Sequence, residues 1–425
     1  MYVECVMNFL TCLPLGLTKC MPSAQSASDI SEHIHLEEAA GAVDIRFHHL
    51  PDVKLPADHS GVEEFISRAV QLHVPHLSAA IIGLTCPVAA LVVDIFCTPA
   101  LDVSRELAVP AYVYFTSSAA MMSLLLRSPA LDDEVIVEFE EMEGTLDLPG
   151  LPPVPPSVLP GTLLERKSPT YKWFVYTGRR YVEASGIIVN TADELEPRVL
   201  AAIAEGRCTR GAHAPDVYPI GPVLALTPPA HAEEQTHECL RWLDAQPPAT
   251  VLFLCFGSKG FLTKPQAHKI ARGLERSGHR FLWVLRGLPV DTSHGARHPS
   301  DANLAELLPE GFLGETKERG LVWPKRAPQK EILAHASVGA SSPTAAGTPF
   351  WRVDRKRDNF VEAAELERAV RSLMGGGEEG RKAKEKAMEM MVVCRKAVDH
   401  GGSSCASVKR LSEDLLGGAV VLPNV

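Results

Sequence analysis

TVLFLCFGS (250–258) and RFLWVLR (280–286) decide the fold. Each is a short apolar run with aromatic or β-branched side chains, and a longer amphipathic stretch separates the two. That alternation is the pattern of βαβ units, in which helices cover the faces of a parallel sheet. LVW (321–323) extends the array. A second array precedes it, with AALVVDIF (89–96), AYVYFTS (111–117) and GIIVN (186–190) as its strands. The chain therefore reads as α/β with two parallel-sheet domains, and the polar, Pro-rich stretch 224–236 reads as the linker. Ligands of such sheets bind outside the carboxyl ends of the strands, so a cleft between the domains is the expected site.

At 425 residues and 46% hydrophobic content the chain can bury two cores. A net charge of −10, with Lys and Arg scattered, points away from nucleic acid or an anionic membrane and toward small-molecule partners. Ten cysteines occur without a C-x-x-C pair or metal-ligand spacing, which predicts buried thiols, a reducing compartment and no metal. The start, MYVECVMNFLTCLPLGLTKCM (1–21), is apolar. It lacks a positive n-region, Glu4 interrupts it, and no clean cleavage site precedes Pro22. It also falls short of the ~20 apolar residues of a membrane span. The expectation is a cytoplasmic protein with no integral membrane segment.

LPGLPPVPPSVLP (148–160) can continue neither a helix nor a central strand, because each proline lacks a donor N–H and fixes φ. It reads as a loop near the acceptor side. The acidic text before it reads as a solvated loop without chemistry. The stretch from Glu378 begins as a charged helix with an apolar stripe and should stop at Gly401 and Gly402.

From Gly320 the chain runs GLVWPKRAPQKEILAHASVG (320–339), then turns into SSPTAAGTPFW (341–351). The first text resembles the opening of the signature box of plant family 1 UDP-glycosyltransferases. LVVDIFCTPALDV (91–103), GIIVNTADELEP (186–197), VYPIGPV (217–223), ECLRWLDAQPP (238–248), VLFLCFGSKG (251–260) and RFLWVLR follow in the family's order. FVEAAELERAVRSLM (360–374) matches the family's late helical region. The later box residues, from its Gly-Phe-x-x-His-x-Gly-Trp-Asn-Ser segment to its closing Gln, do not follow Gly339. The resemblance implies a GT-B fold: two Rossmann-like domains facing a cleft, both incomplete. The altered start would remove the first strand of the first sheet, and an internal deletion near 340–352 would remove two or three βα units of the second. Its domains would be 1–223 for the acceptor, a linker at 224–247, 248–398 for the UDP-sugar, and a C-terminal helix and tail at 399–425.

An inverting glycosyl transfer needs a base for the acceptor hydroxyl, a group to orient that base, and donors for the departing diphosphate. The resemblance implies a His–Asp dyad, with Asp94 as its orienting carboxylate. A carboxylate ending a buried strand can accept an imidazole N–H and fix its tautomer. Equally, on its own residues, Asp94 could cap the following helical turn. The family's Gly-His-x-x-Pro segment, which carries the base, occurs nowhere in the chain. His33 and His35 are the nearest candidates and read as surface histidines. On the donor side the resemblance assigns Ser258 to the diphosphate, in a turn that Gly257 and Gly260 permit. Arg326 stands where the family has a uracil-stacking Trp, and a guanidinium can also stack. Ala327 and Gln329 match the positions at the uracil edge and ribose, Thr116 is a further donor contact, and His335 reads as structural. The missing box residues would each supply a charge-assisted hydrogen bond of roughly 1.5–3 kcal/mol, so tight UDP-glucose binding is not expected.

The function so implied is transfer of glucose from UDP-glucose to a hydroxyl of a flavonoid or other phenolic acceptor, with inversion. UDP-glucose is the co-substrate, no cofactor is needed, and the protein is a monomer. This chain is expected to be impaired or inactive and of marginal stability. The alternative is a non-catalytic phenolic-binding protein, or a truncated isoform or gene-model product.

Overall fold

The computed structural model describes residues 9–13, 16–22, 45–54, 58–59, 62–223, 237–257, 260–291, 297–341 and 361–417. The chain divides into two compact units, 1–225 with 391–425, and 226–390. The stretch 224–236, read as linker, lies outside the described residues.

The first unit is built on a seven-stranded sheet of β1 (Phe9–Leu13), β2 (Gly16–Pro22), β3 (Ile45–Leu50), β4 (Ala90–Asp94), β5 (Ala111–Phe115), β6 (Gly186–Val189) and β7 (Asp216–Pro219), in the order β3-β2-β1-β4-β5-β6-β7. From β4 to β7 all pairs are parallel, with Leu91 opposite Ala111, Tyr112 opposite Gly186, and Gly186 opposite Asp216. These strands read as unbroken apolar runs because both faces are covered. On one face Val93, Val113 and Ile187 meet Val70 and Leu77 of α1 (Val62–Ile82) and Met122 and Leu125 of α2 (Ala119–Glu134). On the other, Val92, Tyr112, Ile188 and Tyr218 meet Leu411 of the C-terminal helix (Ser403–Gly417). Two further helices are α3 (Pro169–Tyr181) and α4 (Pro197–Ala204). Ser118 and Ser168 cap α2 and α3 by accepting from the N–H of Met121 and Tyr171, and Pro169 occupies the first turn, where its missing donor costs nothing.

The expectation that the altered start removes a strand from this sheet does not hold. β1 lies antiparallel against β4, with Leu10 opposite Val92 and Cys12 opposite Ala90, and β2 folds back on β1 as a hairpin. The physical reason is that an open strand edge accepts any extended segment. An antiparallel partner needs only a tight turn, whereas a parallel one needs a long crossover.

The second unit holds β8 (Val251–Cys255), β9 (Arg280–Val284), an antiparallel hairpin of β10 (Arg286–Asp291) and β11 (Arg297–Asp301), then β12 (Gly320–Trp323) and β13 (Val338–Ser341). Its parallel sheet runs β12-β9-β8-β13. Numbered within the unit this is 3-2-1-4, the doubly wound order without its fifth and sixth strands among the described residues. α5 (Glu238–Asp244) leads into β8, and α6 (Lys264–Ser277) joins β8 to β9. A reciprocal Thr263–Gln266 capping box starts α6, and Gly278 ends it at φ +73°. α7 (Gln329–Ala334) precedes β13, and α8 (Ala363–Met374) packs Leu366 and Val370 against the core that holds Leu274. The charged helix foreseen from Glu378 is α9 (Glu378–Val398).

Candidate active site

In the first unit β4 delivers Asp94 from a row of four buried residues to a half-buried position at the strand's carboxyl end. The chain then turns tightly, with the Cys97 N–H donating to the Asp94 carbonyl at 2.9 Å. The Asp94 carboxylate accepts from the Phe96 N–H at 3.5 Å. Burial is the larger influence on this group; the backbone N–H groups of Phe96 and Ile95 oppose it without cancelling it, and its pKa is pushed up to about 6. Among the described residues no histidine hydrogen-bonds to Asp94. His33 and His35 lie outside the described residues. The turn after Asp94 is pinned instead by Tyr181, fully buried, whose hydroxyl donates to the Ile95 carbonyl at 3.1 Å. Burial, reinforced by the Asp94 charge, raises the Tyr181 pKa well above a free phenol's.

A cavity of about 290 Å³ opens one residue beyond Asp94. Ile95, Phe96, Phe115, Met121, Leu163 and Phe174 supply its apolar walls, and Ser117, Thr162, Thr170 and Thr177 its few hydroxyls. Pro160, at the end of the proline-rich loop, completes one side. Apolar walls with a small number of placed polar groups suit a flat aromatic ring carrying hydroxyls. Thr116, expected on the donor side, is an exposed residue between β5 and the Ser117 wall, and its carbonyl accepts from the Asn190 amide at 3.5 Å.

In the second unit the residues matched to the donor gather at the carboxyl ends of β8 and β12. Gln329 opens α7, and its amide oxygen accepts from the Cys255 thiol, at the end of β8, at 3.7 Å. Beyond β8 the backbone turns at Gly257, φ +76°, and at Gly260 a Cβ would meet the Phe256 carbonyl at 2.0 Å. Both glycines are thus demanded by the turn. Ser258 lies outside the described residues. Ala327 is half-buried against the core around β8 and β9, whereas Arg326 is exposed and its carbonyl accepts from the Trp323 indole at 3.0 Å. The structure therefore brings Ala327 and Gln329 to the sheet and leaves the Arg326 guanidinium at the surface. His335 has both ring nitrogens engaged, one accepting from the Ser337 N–H at 3.2 Å and the other 3.1 Å from an Asp244 oxygen, a structural arrangement.

Sequence reasoning missed Tyr181 and the phenylalanines of the cavity. The signal for Phe96 lay beside Asp94, but Phe174 and Tyr181 sit on a helix whose inward face only the fold defines. Among the described residues no helix is long and apolar enough to cross a membrane, and no group of three or more His, Cys, Asp or Glu is placed to hold a metal ion.

No family model matches the chain. Individual proteins do. A malvidin galactosylase of Oryza sativa subsp. japonica is 60% identical over 432 residues, covering 93% of this chain and 89% of the relative. An anthocyanidin 5,3-O-glucosyltransferase of a Rosa hybrid cultivar is 33% identical, covering 87% and 83%. The solved structure of a UDP-glucosyltransferase from Polygonum tinctorium, capable of glucosylating indoxyl, in complex with 3,4-dichloroaniline superposes with a TM-score of 0.80 at 30% identity, over 95% of this chain and 93% of that one. Near-full coverage on both sides does not support the expected truncation. Identity of this extent, with the two-sheet GT-B architecture, shows that the chain belongs to the plant family 1 UDP-glycosyltransferases, which are hexosyltransferase enzymes.

Proposed function

We propose that the chemistry of this chain is transfer of a hexose from a UDP-sugar to a hydroxyl of a flavonoid-type phenol, by direct displacement with inversion, in the cytosol. The observation that carries the reading is the apolar, hydroxyl-bearing cavity beside Asp94, in a chain 60% identical to a malvidin galactosylase. The sequence resemblance pointed to glucose; that relative's activity favours galactose. The test is product formation from malvidin with UDP-galactose and with UDP-glucose. Turnover of neither donor, in this chain or in one with the relative's box residues inserted after Ser341, would overturn it.

Two observations support a slow or inactive chain. Asp94 has no imidazole to orient among the described residues. The second sheet stops at its fourth strand among the described residues. General-base catalysis contributes roughly 10²–10⁴-fold. The expected rate is lower by at least about 100-fold than that of a chain carrying both the base segment and the full box. Equal rates would sink this part alone. The intact first-unit cavity favours a second reading, a protein that binds phenols without converting them; saturable malvidin binding without turnover would establish it.

A further inference from the structure

We infer, on the acceptor reading of the cavity beside Asp94, that Thr170 and Thr177 of α3 set its specificity, selecting a neutral aromatic acceptor with a hydroxyl at each end of its long axis. Both residues line the cavity. They lie seven apart on one helix, a spacing that returns to within about 20° of the same face and separates them by about 10.5 Å along the axis. Phe174, four residues after the first and three before the second, stands between them on that face and also lines the cavity.

A threonine inside a helix commonly satisfies its hydroxyl on a carbonyl of the preceding turn. Neither of these does. Thr170 is 8% exposed and Thr177 3%, yet neither hydroxyl has a hydrogen-bond partner among the described residues. Their oxygens, unlike those of Thr98 and Tyr171 nearby, are not sealed from the surface, and the cavity is what they border. A buried hydroxyl without a hydrogen bond is costly, and a ligand hydroxyl in the cavity would supply the missing partner.

The helix also gives the acceptor a direction. Its carboxyl end is fixed at the Asp94 turn, where the Tyr181 hydroxyl donates to the Ile95 carbonyl at 3.1 Å and the Arg180 guanidinium to that of Thr98 at 3.4 Å. Its amino end packs on the proline-rich loop, where Tyr171 shares a core with Leu159 and Leu163. Thr177 is therefore at the end near Asp94, where the hydroxyl that takes the sugar lies, and Thr170 reads the far end. Phe174 gives the acceptor's middle an aromatic neighbour, with Phe96 and Phe115 as further walls. Among the described residues no charged side chain lines the cavity. A carboxylated phenol would bury its charge unpaired, a cost that a hydroxylated one avoids.

The test is calorimetric titration of the full chain with flavone, 7-hydroxyflavone, 4′-hydroxyflavone and 4′,7-dihydroxyflavone, whose hydroxyls occupy neither, one or both ends. The dihydroxy compound should bind at least about fivefold tighter than either monohydroxy one, the size of one ordinary hydrogen bond. Thr170→Val and Thr177→Val should each bring it down to the better monohydroxy compound, and the double variant should make all four bind alike. Thr170→Ser and Thr177→Ser, which keep the hydroxyl, should keep the preference. Equal weakening of all four compounds by the Val variants, flavone included, overturns the assignment, because lost packing and not a lost hydroxyl would be the cause. A dihydroxy preference that survives both Val variants overturns it too. Equal binding of all four by the unaltered chain does the same, while leaving the cavity standing as an acceptor site. Binding of none of the four also overturns it, and only if malvidin is then neither bound nor converted does the acceptor reading fall with it.

Discussion

At Asp94 burial outweighs hydrogen bonding. Its pKa rises from 3.8 to about 6, which at 1.36 kcal/mol per unit is about 3 kcal/mol of cost for the ionised form in the folded state. Because the folded value lies above the unfolded one, the group's favourable contribution is complete below about pH 4. It is lost as pH rises through 6. Asp94→Asn should therefore stabilise the chain at pH 7 by up to ~3 kcal/mol and leave it unchanged at pH 4, as read by urea unfolding at both values. An equal effect at the two pH values would remove burial as the cause. A protonated imidazole alongside would have pulled the pKa the other way. Asp94 was legible in the sequence because a charge that ends four apolar residues is an anomaly within one short text. Tyr181 was not, because its partner carbonyl is 86 residues away and no local pattern links them.

The elements were legible wherever burial on both faces wrote a continuous apolar run, as in β4, β5, β8 and β9, because that signal is local. β1 and β2 were not, since their pairing depends on the free edge of β4 rather than on their own pattern. Helix contacts are set by shape and are equally silent in the text. On α3, Gly178 lets that helix approach α2, and a Cβ there would lie 2.3 Å from the Leu125 carbonyl and 2.8 Å from the Ser128 hydroxyl. Helix propensity alone favours alanine by about 1 kcal/mol. Backbone cannot give way at 2.3 Å, so the clash decides, and Gly178→Ala should lower stability by about 1–3 kcal/mol in thermal melts. The C-terminal helix is held by a different device, the Tyr218 hydroxyl donating to Asp414 at 2.6 Å. A double-mutant cycle of Tyr218→Phe with Asp414→Asn should show a coupling of about 1 kcal/mol. A coupling of zero would mean that this hydrogen bond adds nothing to the docking, leaving it to the Leu411 contact and to the hydrogen bonds of Ser403, Ser404 and Arg410.

For the molecule as a whole, the second unit's sheet decides behaviour. In the order 3-2-1-4 the ligand crevice lies between strands 1 and 4, here β8 and β13, at their carboxyl ends. Gln329 and the Gly257 turn come to that place on the β8 side. The β13 side would have to be completed by the residues after Ser341, where the sequence departs from the family's text. That is why the residues matched to the donor on the β8 side were legible: they rest on a strand, a turn and a helix start that are all in the text. The same edge bears on stability. Among the described residues β13 pairs only with β8, and a parallel strand with one partner presents unpaired N–H and C=O groups to any other extended chain. A domain's net stability is only ~5–15 kcal/mol, so an uncovered strand and its flanking apolar side chains are a large fraction of it. The full chain should therefore unfold irreversibly, with a midpoint that moves with scan rate and light scattering that grows through the transition. Ser341→Lys, which places a charge on the open edge, should reduce the scattering without raising the midpoint. Inserting the relative's box residues after Ser341 should do both, because it supplies β13 with a second neighbour instead of only repelling intruders. A sharp, reversible transition in the unaltered chain would show that β13 is already covered, and the edge would then carry no weight in either stability or donor binding.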